Sequence, residues 1–197
     1  MPLKNIYKLK ANILIIELYE SMIEMEEKTV AETRVELAQI MYPEHANPAG
    51  NVHGGYILKL IDQAGAIVAA RHTHSNVVTA SVDRMDFISP AFIGNLVFAK
   101  ASLNYVGKTS MEIGVRIEAE CLKTGRHTHI GSAYLTFVAL DKDDNPIEIP
   151  KVIPETDEEK RRYEDAQQRR KKRLKKSRAT KDEPQPCIVR PEKLEEY

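Results

Sequence analysis

One helical segment with apolar residues on most of its faces constrains the fold of this chain more than any other feature. Between residues 55 and about 71 the apolar positions are spread too widely to form a single stripe, so we expect most of the helix circumference to be buried. The apolar positions are Ile57, Leu58, Leu60, Ile61, Ala64, Ile67 and Val68.

The other patterned segments predict strands. Residues 29–41 alternate polar and apolar side chains and are rich in β-branched residues, which is typical of a strand. Four further β-type segments follow the helix, at residues 77–87, 96–107, 110–122 and 129–141.

Short turns separate these last four segments, at Ser89-Pro90, Gly107-Lys108 and Thr124-Gly125. Short turns favour antiparallel neighbours, so we expect one sheet wrapped around one helix. An open sheet of this kind has exposed edges, and such domains commonly cover them by pairing with a second chain.

The composition favours a soluble globular protein, with 42% hydrophobic and 29% charged residues. The apolar run at residues 13–16 is far short of the roughly 18–20 residues that span a bilayer, so we expect no membrane partner. Two cysteines, Cys121 and Cys187, do not make a disulfide framework. A cytoplasmic location is the expectation.

The net charge of zero is the sum of a basic segment and an acidic remainder. Residues 160–181 contain twelve Lys or Arg and two acidic residues, so the rest of the chain is acidic. Prolines 150 and 154 are expected to end the globular part. We therefore divide the chain into an N-terminal extension (1–27), a globular domain (28–154), a charged helix (155–180) and a disordered tail (181–197).

Asp62 is a carboxylate in the middle of the apolar helix. Its neighbours at helical spacing are mostly small or apolar, so a ligand or a second backbone could lie close to it. Burial would raise its pKa and make it a better base. The alternative is a surface carboxylate paired with Lys59.

The Gly54-Gly55 pair precedes the same helix. Glycines allow a ligand to approach the backbone, and the first N–H groups of a helix have no partners within the helix. Such N–H groups could stabilise a carbonyl oxygen that gains negative charge. The alternative is a sharp turn from loop to helix.

The helix geometry separates these two features. Seven residues of helix rise about 10.5 Å, whereas a base must lie within about 3 Å of its substrate or water. If Asp62 and the glycines serve one site, Asp62 must therefore come from a second copy of the chain.

Four stretches resemble the hotdog-fold acyl-CoA thioesterases: NPAGNVHGG, YILKLIDQAGAIVAARH, VVTASVDRMDFISPAFIG and YVGKTSMEIGVRIEAE. The similarity covers residues 29 to 154 and is specific, because several spaced motifs occur in the right order. It implies an α+β hotdog fold, with one long helix wrapped by a five- to six-stranded antiparallel sheet, and a charged C-terminal helix follows.

The resemblance also implies chemistry. In that family an Asn before the helix and an Asp within it act together across a protomer interface, and the matching positions are Asn47 and Asp62. The implied reaction is hydrolysis of acyl-CoA to free acid and CoA without a further cofactor. The implied assembly is a homodimer, as part of a trimer of dimers. An Asx-turn before Pro48 is the alternative for Asn47.

The remaining candidates concern histidines and substrate phosphates. His53 is interpreted as a wall of the site, since the His–acid pair of hotdog hydratases is missing. His72 and His74 suit the dipole at the end of the helix, and His127 with His129 gives no third metal ligand, so we expect no metal. Candidate ligands of the CoA phosphates are Arg71, Lys108, Thr109 and Ser110.

The basic run RRKKRLKK is interpreted as a solvated helix end, and the alternative is that it attracts CoA. No aromatic platform interrupts it, so nucleic acid is not an expected partner. The rival functions are a non-catalytic acyl-CoA binding or sensing module and a hotdog hydratase. Hydrolysis of any acyl-CoA would exclude the binding module.

Overall fold

The computed structural model of the chain describes residues 27–83 and 85–179. In chain order its elements are β1 (Lys28–Thr29), α1 (Val30–Thr33), β2 (Val35–Ile40), a 3₁₀ turn (Pro43–His45), α2 (Gly54–Thr73), β3 (Asn76–Val82), β4 (Asp86–Phe87), β5 (Leu96–Val106), β6 (Ser110–Cys121), β7 (Arg126–Leu140), β8 (Val152–Ile153) and α3 (Asp157–Ala179).

A six-stranded sheet surrounds the central helix α2. Its strand order is β2-β5-β6-β7-β3, and the short β4 also pairs with β7. All of these pairs are antiparallel, and α2 contacts β2, β3, β5, β6 and β7. The predicted α+β class, with one helix wrapped by one antiparallel sheet, is confirmed.

The core lies between α2 and the concave face of the sheet. Alternate residues of β6 and β7, such as Ile113, Ile117, Leu135 and Phe137, are fully buried there. Gly65 of α2 lies against Phe137, and a Cβ at this glycine would be 2.8 Å from the ring. The glycine thus allows the helix to approach the sheet closely, which fixes where α2 lies.

The predicted strand at residues 29–41 is wrong in its first half. The β2 strand begins at Val35, and α1 is a single helical turn before it. The Glu32 carboxylate accepts hydrogen bonds from the Thr29 N–H (2.6 Å) and the Thr29 hydroxyl (2.8 Å). This local capping interaction favours a helix start over the β propensity of the segment.

The prediction that residues 77–87 and 96–107 are neighbouring strands is also wrong. The β3 and β4 strands pair with β7, whereas β5 pairs with β2 and β6. The chain between them crosses the N-terminal end of α2, where Ile88 N donates to Ile130 O and Val52 N donates to Ala91 O. A Pro-containing bend indicates a turn, but it does not determine which strand the segment after the turn pairs with.

Part of α2 is exposed in the single protomer, contrary to the prediction for Leu58 and Ile67. These side chains are 42% and 37% exposed. They lie at the two margins of the broad face of α2 that the sheet leaves open between its edge strands β2 and β3.

The helix α3 lies on the convex face of the sheet. Ala166 is fully buried, and Glu159 is bonded to Arg34 at 3.1 Å. Arg169 and Arg173 are each bonded to the buried Glu112 of β6. The interpretation of the basic run as a solvated helix end is therefore wrong for these two arginines.

His72 is fully buried at the end of α2, and it is not a solvated partner of the helix dipole. Its Nε2 lies 2.7 Å from the Pro150 carbonyl oxygen. A carbonyl can only accept, so Nε2 carries the proton, and Nδ1 has no partner among the described residues. Burial lowers the pKa of His72, so the ring is neutral in the folded protein.

We predict that His72 makes the folded state acid-sensitive. Because its folded pKa lies below the unfolded value of about 6.5, its contribution is full above that pH and is lost as the pH falls towards the folded pKa. As the pH falls from about 6.5 to 5, the free energy of unfolding should fall less steeply in His72→Gln than in the original chain. The two slopes should differ by up to about 1.4 kcal/mol per pH unit.

Urea unfolding at several pH values measures this slope. The exposed His127 provides the control, since His127→Gln should leave the slope much nearer to that of the original chain. Equal slopes for His72→Gln and the original chain would contradict the prediction.

Candidate active site

A cavity of about 330 Å³ opens at the N-terminal end of α2. This volume is at the lower end of the range for small-ligand sites. Its polar wall includes Asn47 and Gly54. Its apolar wall is formed by Val52, Ile57, Phe87, Ile88 and Ile130.

Asn47 is fixed by the loop that precedes α2. Its Oδ1 accepts hydrogen bonds from Ala49 N (2.9 Å) and Asn51 N (3.1 Å), so the Asx-turn is present. Because two N–H donors require the oxygen on that side, the orientation of the amide is determined. The Asn47 NH₂ group has no acceptor among the described residues and can donate to a ligand in the cavity.

His53 and the two glycines form the start of α2. His53 Nδ1 accepts a hydrogen bond from Gly55 N at 3.0 Å, and a Cβ at Gly55 would be 2.9 Å from the imidazole. His53 is therefore an exposed helix cap and does not line the cavity of its own protomer. Gly55 allows this cap, and its N–H is not free.

Gly54 is the glycine whose backbone N–H remains available. Its N–H has no acceptor within the described residues, and the residue lines the cavity. A Cβ at this position would meet the Phe87 ring at 3.4 Å. Neither Gly54 nor Gly55 has a positive φ, so the pair is not needed for a left-handed turn.

Asp62 is exposed in the protomer and is bonded to Thr79 of β3. The Thr79 hydroxyl donates to Asp62 Oδ1 at 2.6 Å. The expected alternative, a pair with Lys59, is wrong, because the Lys59 ammonium instead lies over the Tyr56 ring at 5.9 Å. Asp62 and Thr79 thus form one polar pair on the open side of α2, beside the edge strand.

The two groups of candidate residues are separated within one chain. Asn47 and Gly54 are brought together at the cavity, and Asp62 does not line it. Asp62 is eight positions after Gly54, which corresponds to a rise of about 12 Å along the helix. In one protomer the hydrogen-bond donors therefore lie at the cavity, whereas the carboxylate lies on the open face of α2.

The four candidate phosphate ligands lie towards the opposite end of α2. Arg71 donates to the Arg34 carbonyl at 3.1 Å. Lys108 and Thr109 belong to the turn between β5 and β6, where the Lys108 carbonyl accepts from Ile149 N, and Ser110 begins β6. In one protomer these residues are not part of the cavity.

A larger cleft of about 850 Å³ lies between α3 and the convex face of the sheet. Most of its cations already have partners. Glu118 accepts hydrogen bonds from Lys100 (2.6 Å) and Arg116 (2.7 Å), which lower its pKa to about 2, and Arg162 is bonded to Glu158. The paired charges leave this cleft less suited to an anionic ligand than its arginines suggest.

Within residues 27–83 and 85–179, no three His, Cys, Asp or Glu side chains are grouped so that they could hold a metal ion. His127 lies 3.7 Å from Glu120, and His129 donates to the Gly131 carbonyl. In the described part of the chain, no helix has both the length and the apolar character needed to cross a bilayer.

Two residues of the candidate site, Thr79 and Phe87, are not predicted by any pattern in the sequence. Thr79 lies among valines in an edge strand, where a threonine is an ordinary β-forming residue. Its contact with Asp62 depends on how β3 is placed beside α2, which no local pattern encodes. Phe87 belongs to a β-type segment, and its position against Gly54 depends on the crossing of the next loop.

The Thioesterase superfamily model matches residues 49–125. Protein VdlD of Helicobacter pylori is 38% identical over 145 residues, which cover 74% of this chain and 83% of VdlD. Acyl-coenzyme A thioesterase 11 of Mus musculus is 40% identical over 144 residues, 72% of this chain. The match spans only 24% of that mouse protein.

Solved structures match as well. An apo-hexameric acyl-CoA thioesterase has a TM-score of 0.74 at 37% identity, covering 77% of this chain and 98% of that one. The acyl-CoA hydrolase of Staphylococcus aureus, in complex with butyryl coenzyme A and coenzyme A, has a TM-score of 0.72 at 35% identity, covering 79% and 96%.

Three further structures of the S. aureus hydrolase are alanine variants at one asparagine, one aspartate and one threonine. These three residues have the same relative spacing as Asn47, Asp62 and Thr79. Together with the fold and the matched relatives, this leads to one conclusion: the chain belongs to the hotdog-fold acyl-CoA thioesterases of the thioesterase superfamily.

Proposed function

We propose that this chain hydrolyses acyl-CoA to a free acid and CoA, in sites that are each shared by two protomers. The observation that carries the proposal is the division of the site residues. Asn47 and Gly54 present hydrogen-bond donors at a cavity, whereas the Asp62–Thr79 pair lies on the open face of the same helix. A second copy related by a two-fold axis supplies the missing half of each site.

The edge strand β3 is the surface through which we expect two protomers to meet. Val78 and Val82 on this strand are 41% and 51% exposed. Antiparallel pairing of two β3 strands would continue the sheet, cover these apolar side chains and place the two α2 helices in opposite directions. A trimer of such dimers is the proposed complete assembly, supported by the hexameric relative.

In this proposal the donors at the cavity bind the thioester carbonyl. The Asn47 NH₂ group and the Gly54 N–H point to one oxygen and stabilise the negative charge that develops on it when the carbonyl is attacked. The acyl chain then lies against the apolar wall that contains Phe87.

Asp62 of the second protomer supplies the carboxylate for the reaction. In one route it takes a proton from the attacking water and passes that proton to the departing CoA thiolate as the C–S bond breaks. In the other it attacks the carbonyl itself, which expels the CoA thiolate, protonated by solvent, and forms an anhydride that water then hydrolyses. The Thr79 hydroxyl holds Oδ1, which orients the carboxylate in both routes.

The CoA phosphates are proposed to bind Arg71 and the Lys108–Ser110 turn. Because the two α2 helices run in opposite directions in the dimer, the far end of one helix is brought towards the cavity of the other. The reaction requires no cofactor beyond the substrate, and we place it in the cytoplasm, as in the cytosolic thioester hydrolase of Rattus norvegicus.

Release of free thiol from acyl-CoAs between acetyl-CoA and palmitoyl-CoA tests the proposal. Hydrolysis of at least one of them by the purified chain is the expected result. Tight binding of acyl-CoA without any thiol release would favour the non-catalytic binding module instead.

Asp62→Asn should lower kcat by at least about 100-fold, because it removes the only charge assigned to proton transfer or attack. The fold should remain, since Asp62 is exposed in the protomer. Circular dichroism and the thiol-release assay measure the two properties, and near-normal turnover in Asp62→Asn would refute the assignment.

Thr79→Val should lower kcat by roughly 10-fold, because a hydrogen bond to a charged group contributes about 1.5–3 kcal/mol. Thr79→Ser keeps the hydroxyl and is the matched control, with activity close to that of the original chain. Equal losses in the two variants would show that packing, and not the bond to Asp62, is responsible.

Mixing the inactive variants Asn47→Ala and Asp62→Ala should restore activity. In each mixed dimer one of the two sites contains both intact residues. With random exchange about half of the dimers are mixed, so about a quarter of the original activity should return. No recovery, after native mass spectrometry has verified subunit exchange, would show that Asn47 and Asp62 act within one chain.

A further inference from the structure

The basic part of α3 is joined to the sheet through a buried carboxylate. Glu112 of β6 is 1% exposed. Arg169 donates to its Oε1 from Nε (3.0 Å) and Nη2 (2.7 Å), and Arg173 donates to its Oε2 at 3.1 Å. A buried carboxylate needs such partners, because an unpaired charge in the interior is costly.

Arg169 is held in place independently of Arg173. Its guanidinium lies over the Tyr134 ring at 3.8 Å. Burial alone would lower the pKa of Arg169, but the hydrogen bonds and charge of Glu112 raise it, so the arginine remains charged. Glu112 therefore keeps a charged partner even when Arg173 is absent.

Arg173 makes a second ion pair that reaches towards the candidate site. Its Nη1 donates to Asp83 Oδ2 at 2.6 Å. Asp83 directly follows β3, and its own N–H donates to the Tyr134 carbonyl. Both partners are about a quarter exposed, so solvent screens the pair only in part.

Asp83 lies between two parts of the candidate site. Four residues before it, Thr79 holds Asp62. Four residues after it, Phe87 forms part of the cavity wall and contacts the position of Gly54. The strand β4, which includes Phe87, has only a two-residue pairing with β7. The ion pair from α3 is thus one restraint on this segment, beside the β4–β7 pairing and the hydrogen bond from Ile88 N to the Ile130 carbonyl.

We infer that Arg173 is a positioning residue, which fixes Asp83 and, together with the β4–β7 pairing, residues 85–88 and thereby the acyl wall of the cavity. This inference rests on the proposed function for its catalytic consequence, but not for its structural one. It assigns to the C-terminal helix a role in the choice of acyl chain, although Arg173 itself touches no substrate.

Arg173→Gln and Asp83→Asn test the inference, with Arg161→Gln as the matched control. Arg161 is on the same helix and its ion pair is with Asp165 of that helix, so the control removes the same charge without touching residues 83–88. Asp83→Asn is isosteric and carries the test alone if Arg173→Gln does not fold.

Amide hydrogen exchange on the full chain gives the first readout and requires no substrate. Exchange of residues 85–88 should be about 10-fold faster in Arg173→Gln and in Asp83→Asn, and unchanged in Arg161→Gln. The double variant should exchange no faster than either single variant, because both remove the same bond. Unchanged exchange in the single variants, or additive effects in the double variant, would overturn the inference.

Acyl-CoA kinetics give the second readout. In both variants KM for decanoyl-CoA should rise about fivefold, with acetyl-CoA and all kcat values changed by less than about twofold. A uniform loss of kcat, or the same KM change in Arg161→Gln, would overturn the specificity role. If even the unaltered chain hydrolyses no acyl-CoA, the proposed function fails, while the exchange result still decides whether Arg173 fixes the segment.

Discussion

The burial of α2 inside one curved sheet is the constraint on which the rest of the structure depends. A helix with apolar residues on most sides needs partners all around it, and β2, β5, β6, β7 and β3 supply them on all sides but one. Only the open face beside β3 and the N-terminal end remain accessible. Every candidate catalytic residue lies at one of these two places.

The rigidity of a long helix also explains why the hydrogen-bond donors at the cavity and the Asp62 carboxylate are far apart in one protomer. No side-chain rotation brings a carboxylate in the third turn to the N–H groups of the first turn. In the proposed function, a second chain supplies the carboxylate that this distance keeps away from the donors. The open face of α2 and the unpaired edge of β3 are adjacent, so the surface that needs covering is also the surface that carries Asp62.

Local patterns in the sequence predicted the helix and the strands of the sheet well, because hydrophobic period and turn residues are local properties. They also singled out Gly54 and Asp62 as candidates, whereas the role predicted for Asn47 came from the resemblance to the family. They failed where an outcome depended on distant partners. The contact of Thr79 with Asp62 requires the placement of β3 beside α2, and the capping interaction of Glu32 converted part of an expected strand into a helical turn.

Local patterns also fail to predict the contacts that α3 makes with the sheet. A run of arginines and lysines gives no sign that two of its members are bonded to Glu112, since this glutamate lies more than fifty residues earlier in the chain. An alternating strand pattern marks Glu112 as outward-facing, and outward-facing charges are ordinarily solvated. Only the docking of α3 on the convex face turns this position into a buried one.

The position of β3 at the sheet edge has a consequence for how the chain folds in the cell. Its pairing with β7 joins residues about sixty positions apart, so β3 is expected to join the sheet only after the local β5–β6–β7 hairpins have formed. Until another strand covers it, the exposed Val78 and Val82 offer a template for non-specific pairing between chains. If two protomers pair through β3 as proposed, the rate of that pairing also determines how long newly made chains are exposed to aggregation.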